Sequence, residues 1–267
     1  MNPESPWQPV ALYLALTVGL AWLLWTAGAL LLPDLLVAFV LLGAWVPSIV
    51  AVGLTYRDQG RSGVSRLLRR LLRWRVGPVW YAVALFGIPA MVGLAAGVQL
   101  LLGGSVPAPT FPADLPGRQE YLLLPVVFLV NIVVGGPLAE EVGWRGYLQP
   151  LLAGSVGTLP AGLGVGLVWG LWHLPFFVLP GGEAIIGDLP LVWFVPLVTG
   201  WSVLFAWVVT RTESLLLAVL LHASINTTLG TLGILDGPTR LRALAVVVTA
   251  VVVAGLFITV DRSPRSV

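Results

Sequence analysis

Cysteine and lysine are both absent from these 267 residues, and charge of any kind is scarce, at 10%. Without cysteine there are no disulfides, no iron–sulfur ligation and no thiolate chemistry. Soluble domains carry roughly 25% charged residues, so the shortage excludes an ordinary soluble domain. No polar stretch is long enough for a second domain. No basic module stands apart from the apolar runs, which argues against a nucleic-acid partner. Met1–Gln8 carries no positive charge, and the apolar run that follows is too long for a signal-peptide core, so no cleavable leader is expected.

What the chain does have is apolar length: 58% of it is hydrophobic. Several runs reach the 18–20 apolar residues that a membrane-crossing helix needs. Hydropathy predicts helices over 10–32, 35–56, 78–102, 120–138, 160–179, 190–210, 213–232 and 241–260. The fold class is therefore all-α, a polytopic transmembrane bundle of about eight helices forming one integral membrane domain over 1–267. The fourth helix is expected to break and resume through Glu140 to Leu152.

All fourteen basic residues are Arg, and their placement orients the chain. Arg57, Arg61, Arg66, Arg69, Arg70, Arg73 and Arg75 share one loop. With that loop cytoplasmic, Arg211, Arg262 and Arg265 fall on the same side, against Arg118, Arg240 and Arg242 on the other. A plasma-membrane protein with both termini cytoplasmic is the expectation. Val64, Leu67, Leu68, Leu71 and Leu72 repeat at helical spacing between the arginines. This predicts an amphipathic helix on anionic headgroups, with a solvated loop as the alternative. The Pro- and Gly-rich outer loops carry Asp114, Glu183 and Asp188, read as solvated. The twelve Trp mostly suit interfacial belts.

The chemistry concentrates where an apolar run meets Glu140, Glu141 and Arg145. An ionisable group at membrane depth costs about 2.5–3.5 kcal/mol on insertion scales, so it usually marks a working site. Glu141 and Arg145, four apart, share a helix face and can pair. Glu140 is rotated about 100° away and needs another partner, which makes it the candidate base. Gly135-Gly136-Pro137 just before it predicts a kink whose freed backbone lines a cavity or is buried. The only histidines, His173 and His222, lie in other apolar runs, His173 four after Trp169 and His222 four before Asn226. Three helices offering polar groups near mid-membrane argue for one shared site; a buried network that merely holds helices together is the alternative. Gln99 and Asn131 are read as interhelical hydrogen-bonders. Ser224, about 200° around its helix from His222, lacks the elbow a serine nucleophile needs.

EEVGWR (EExxxR), WGLWH (in place of FxxxH) and HASIN (HxxxN), in that order, resemble the CPBP family of CAAX prenyl-protein proteases and bacteriocin-processing or self-immunity proteins. Trp169 stands where that family usually has Phe. The resemblance implies a catalytic core over 120–232 and an intramembrane endopeptidase acting on a lipidated or hydrophobic peptide or protein. It implies that Glu140 activates water with help from His173, that His222 and Asn226 stabilise the oxyanion, and that Glu141 and Arg145 hold Glu140 in place. It leaves two cofactor readings open: none, or one divalent metal such as zinc on Glu140, His173 and His222, a His₂Glu set. A non-proteolytic scaffold or immunity protein that keeps the fold is the alternative function.

Overall fold

A computed structural model describes residues 7–108, 121–230 and 237–261, with backbone only at 257–261. The opening Met1–Pro6, the loop residues Asp114 and Arg118, Arg262 and Arg265, and the outer edges of the expected core at 120 and 231–232 lie outside the described residues.

The described chain is helical throughout, without strands: α1 Trp7–Leu31, α2 Leu36–Arg69, α3 Pro78–Leu101, α4 Leu124–Val134, α5 Pro137–Gly143, α6 Gln149–Val156, α7 Thr158–Trp172, α8 Pro175–Val178, α9 Glu183–Ile186, α10 Leu191–Thr212, α11 Leu215–Gly230 and α12 Thr239–Asp261. Among the described residues, six helical segments are long and apolar enough to cross a bilayer. A seventh crossing is the pair 121–134 and 137–156, bent by 48°. The apolar α11 has only 16 residues. All eight hydropathic segments are thus helices, and the protein is an integral membrane bundle.

Lipid tails are as apolar as leucine, so close packing must hold the helices together. α7 presents Gly162, Gly166 and Gly170 to α10, one turn apart. A Cβ at Gly166 would come within 2.6 Å of Thr199 Cα and Ser202 Cβ. These absent side chains let α7 approach α10 closely and fix the height of Trp169. Similarly, a Cβ on Gly143 would lie 2.5 Å from the Pro47 carbonyl oxygen and the Tyr13 hydroxyl, which ties α5 to α1 and α2. α11 packs against α3, α4 and α5.

Two expectations need correction. The helix expected between the arginines is present, α2 continuing beyond a non-helical break at Gly60 to Arg69. Its Leu67 is not turned to lipid: it is buried with Val142 and Leu215, while Leu68 and Leu72 stay exposed. The tryptophans are also less peripheral than a belt requires. Trp7 and Trp74 are exposed near helix ends, but Trp25, Trp144, Trp169, Trp172 and Trp201 are fully buried. With hydrocarbon outside and inside alike, burial costs an indole little once its ring finds neighbours, as Trp172 does against Trp25 at 4.5 Å and Trp144 at 5.6 Å.

Candidate active site

The break expected at Gly135-Gly136-Pro137 is present. α4 stops at Val134, Gly136 adopts φ +97°, and Pro137 opens α5, where its missing N–H is no loss. Breaking a helix inside the membrane strands carbonyls, and one of them is met from another helix: Asn226 Nδ2 donates to Gly135 O at 2.6 Å. Nearby, Asn131 Nδ2 donates to Thr227 Oγ1 at 3.1 Å, the interhelical bond foreseen for it.

Glu140 sits one turn into α5, its backbone N–H on Gly136 O at 2.9 Å. A Cβ at Gly136 would overlap Glu140 Oε1. Gly136→Ala is therefore expected to displace this carboxylate and to destabilise by about 1–2 kcal/mol, the cost of a left-handed L-residue. Unfolding in detergent measures the second effect; an unchanged midpoint would contradict the assigned backbone.

The partner of Glu140 is one that sequence spacing did not reveal. Trp169 Nε1 donates to Glu140 Oε2 at 2.8 Å. The same indole lies 5.0 Å from the His222 ring and 5.9 Å from the His173 ring, with the Arg145 guanidinium 4.4 Å over its face. Trp169 thus touches every charged or titratable group singled out here except Glu141. Its indole N–H, which a Phe at this position would lack, is the signal that the sequence offers.

Glu141 and Arg145 pair as the four-residue spacing predicts, at 3.0 Å and with both side chains fully buried. A π-helical turn over Trp144–Leu148 follows, joining α5 to α6. Glu141 has a second partner, His222, whose Nδ1 is 2.7 Å from Oε1. If that nitrogen donates to the carboxylate, Nε2 carries a proton only in the imidazolium form. His173, at the C-terminal cap of α7, has Nδ1 2.8 Å from Trp169 O. A carbonyl only accepts, so Nδ1 carries the hydrogen and Nε2 of the neutral ring is left to accept. Ser224 Oγ is spent on Leu221 O at 2.8 Å.

Glu140, Trp169, His173, His222 and Asn226 all line one cavity of about 530 Å³, with Trp25, Trp172, Phe176 and Phe194 among its apolar walls. The four residues expected to do chemistry are thus brought together, from α5, the end of α7, and α11. They do not form a metal site: among the described residues no three His, Asp or Glu side chains are placed to hold an ion. Nδ1 of each histidine and Oε2 of Glu140 already face protein partners. These bonds engage one atom of each side chain and leave Nε2 of both rings and Oε1 of Glu140.

The pattern of matches to known proteins agrees with the site. A family model described as "Type II CAAX prenyl endopeptidase Rce1-like" matches residues 122–228, which contain Glu140, Glu141, Arg145, Trp169, His173, His222 and Asn226. Residues 122–228 are similar to the CAAX prenyl endopeptidases that this model describes. A CAAX prenyl protease 2 from Methanococcus maripaludis is 23% identical over 230 residues, covering 80% of this chain and 82% of its own length. The matched segment includes most of the bent pair, α7 and most of α11, the elements that carry Glu140, Trp169, His222 and Asn226.

Proposed function

We propose that this protein is an intramembrane endopeptidase of the glutamate type. The observation that carries the reading is the single cavity shared by Glu140, His173, His222 and Asn226. In the proposed cycle, Glu140, or His173 through its free Nε2, takes a proton from water as the water oxygen attacks the scissile carbonyl carbon. The second Asn226 amide hydrogen, and His222 Nε2–H when its ring is the imidazolium, donate to the developing oxyanion. Collapse of the tetrahedral intermediate breaks the C–N bond, and the acquired proton goes to the leaving amine. Glu141 orients His222 and is itself held by Arg145. The cycle needs no metal; elemental analysis of the purified protein tests that, and stoichiometric zinc would reopen the question.

The substrate is proposed to be a lipidated or hydrophobic peptide segment, and the setting the plasma membrane with both chain termini cytoplasmic. Anionic headgroups meet the arginines of 57–75. Trapping with a Glu140→Gln variant, followed by mass spectrometry of the bound peptide, tests the substrate class; soluble, hydrophilic peptides would contradict it.

Trp169→Phe keeps the aromatic body and removes the donor to Glu140. A hydrogen bond to a charged group is worth about 1.5–3 kcal/mol, so kcat is expected to fall roughly tenfold or more. KM should change little, because the indole N–H faces the carboxylate rather than the substrate. A Phe variant with full kcat would show that the bond does not position Glu140.

A further inference from the structure

The two ends of the bundle are chemically unlike, and the cavity belongs to one of them. At one end lie the arginines just after α2, bonded to the α10–α11 junction. Arg70 donates from Nε to Glu213 O at 3.2 Å and from Nη1 to Gly146 O at 3.1 Å. Arg73 pairs with the Glu213 carboxylate, and Ser214 Oγ donates to Arg73 O at 2.7 Å. Arg211, two residues before Glu213, falls at the same end. The opposite end holds the last turn of α3 and the first of α12, joined by Arg240 Nε on Gln99 Oε1 at 2.7 Å.

The cavity's lining is drawn from this second end. It includes Val37, Val40 and Leu41 from the start of α2, His173 and Phe176 from the end of α7 and from α8, and Leu229 and Gly230 from the end of α11. α9, flanked by Gly181 and Gly187 at positive φ, borders it through Glu183, Ala184, Ile185 and Ile186. α11 measures the separation. Leu215 packs on Leu67 at the arginine end, and Gly230, fifteen residues on, reaches the cavity, about 22 Å away at 1.5 Å per residue.

Short loops rich in arginine stay on the cytoplasmic side. We infer that the active-site cavity opens toward the extracytoplasmic side of the membrane. Its substrate is then a hydrophobic peptide presented from that side, an exported or membrane-spanning segment, and not the cytoplasmic C-terminus of a prenylated protein. The substrate half of this inference rests on the endopeptidase reading. The sidedness does not.

The cysteine-free sequence makes the test direct. Single Glu183→Cys and Arg61→Cys variants are treated in intact cells with a membrane-impermeant sulfonated maleimide. Glu183→Cys is expected to label in full without permeabilisation, and Arg61→Cys only after it. Asp188→Cys, exposed on the same loop, replaces the first probe if that variant does not accumulate. Labelling of Arg61→Cys from outside, with the loop probes protected, would overturn the proposal. A photo-crosslinking residue at Ile186 in the Glu140→Gln background then reads the substrate. Exported or membrane-spanning segments among the adducts support the assignment, and prenylated cytoplasmic C-termini overturn it. Should Glu140→Gln itself retain cleavage, the protease mechanism fails while the labelling still decides the side.

Discussion

Glu140→Gln is expected to abolish peptide-bond cleavage and leave the protein folded. The change is isosteric, and the amide oxygen can still accept from the Trp169 indole, so packing around the 2.8 Å bond survives. What disappears is the group that takes and returns a proton. General-base catalysis contributes typically 10²–10⁴-fold, so turnover should drop by at least about a hundredfold. Cleavage measured in detergent after chelator treatment, beside the thermal midpoint of the same sample, separates chemistry from folding. Undiminished turnover with an unchanged midpoint would remove Glu140 from the reaction and assign the proton transfer to another group.

Arg145→Ala should act on the other term. The guanidinium is fully buried, bonded to Glu141 and sandwiched 4.4 Å from the Trp169 ring and 4.0 Å from Phe205. Deleting it leaves the Glu141 carboxylate in a water-poor interior with only His222 as partner. Removing one member of a buried ion pair costs about 3–5 kcal/mol, which corresponds to a midpoint lower by roughly 6–20 °C in a chain of this size. Arg145→Ala combined with Glu141→Gln should recover part of that loss, because no unpaired charge remains. A single variant as stable as the parent would contradict the pairing, and a double variant no better than the single would assign the loss to packing instead.

How far the sequence could be read follows from the range of each interaction. Hydropathy is a property of each segment by itself, so all eight helices were legible. The Glu141–Arg145 pair and the Gly136-Pro137 break are local, set by helix periodicity and by the proline ring, and both stand where the spacing put them. Contacts across the bundle were not legible. Nothing near His222 announces that its nitrogen meets Glu141, eighty-one residues earlier, and nothing near Asn226 announces that its amide closes the carbonyl at Gly135. The fate of Leu67 was misjudged for the same reason. Its periodicity shows that one face is apolar, and whether that face meets lipid or Val142 and Leu215 depends on where α5 and α11 lie. Gly162, Gly166 and Gly170 are a case in between: their spacing was visible, but which helix would fill the groove was not.

The π turn at Trp144–Leu148 has a consequence for chain length. Each residue of an α-helix advances the azimuth by about 100°. A wider ring accommodates one residue beyond the regular count, so the direction faced by Glu140 and Glu141 is phased against α6 by the number of residues between them as much as by their identity. Deleting one residue other than Arg145 from 144 to 148 would close the wider ring to a regular turn with both carboxylates still facing Trp169 and His222, whereas inserting a further residue would turn them away.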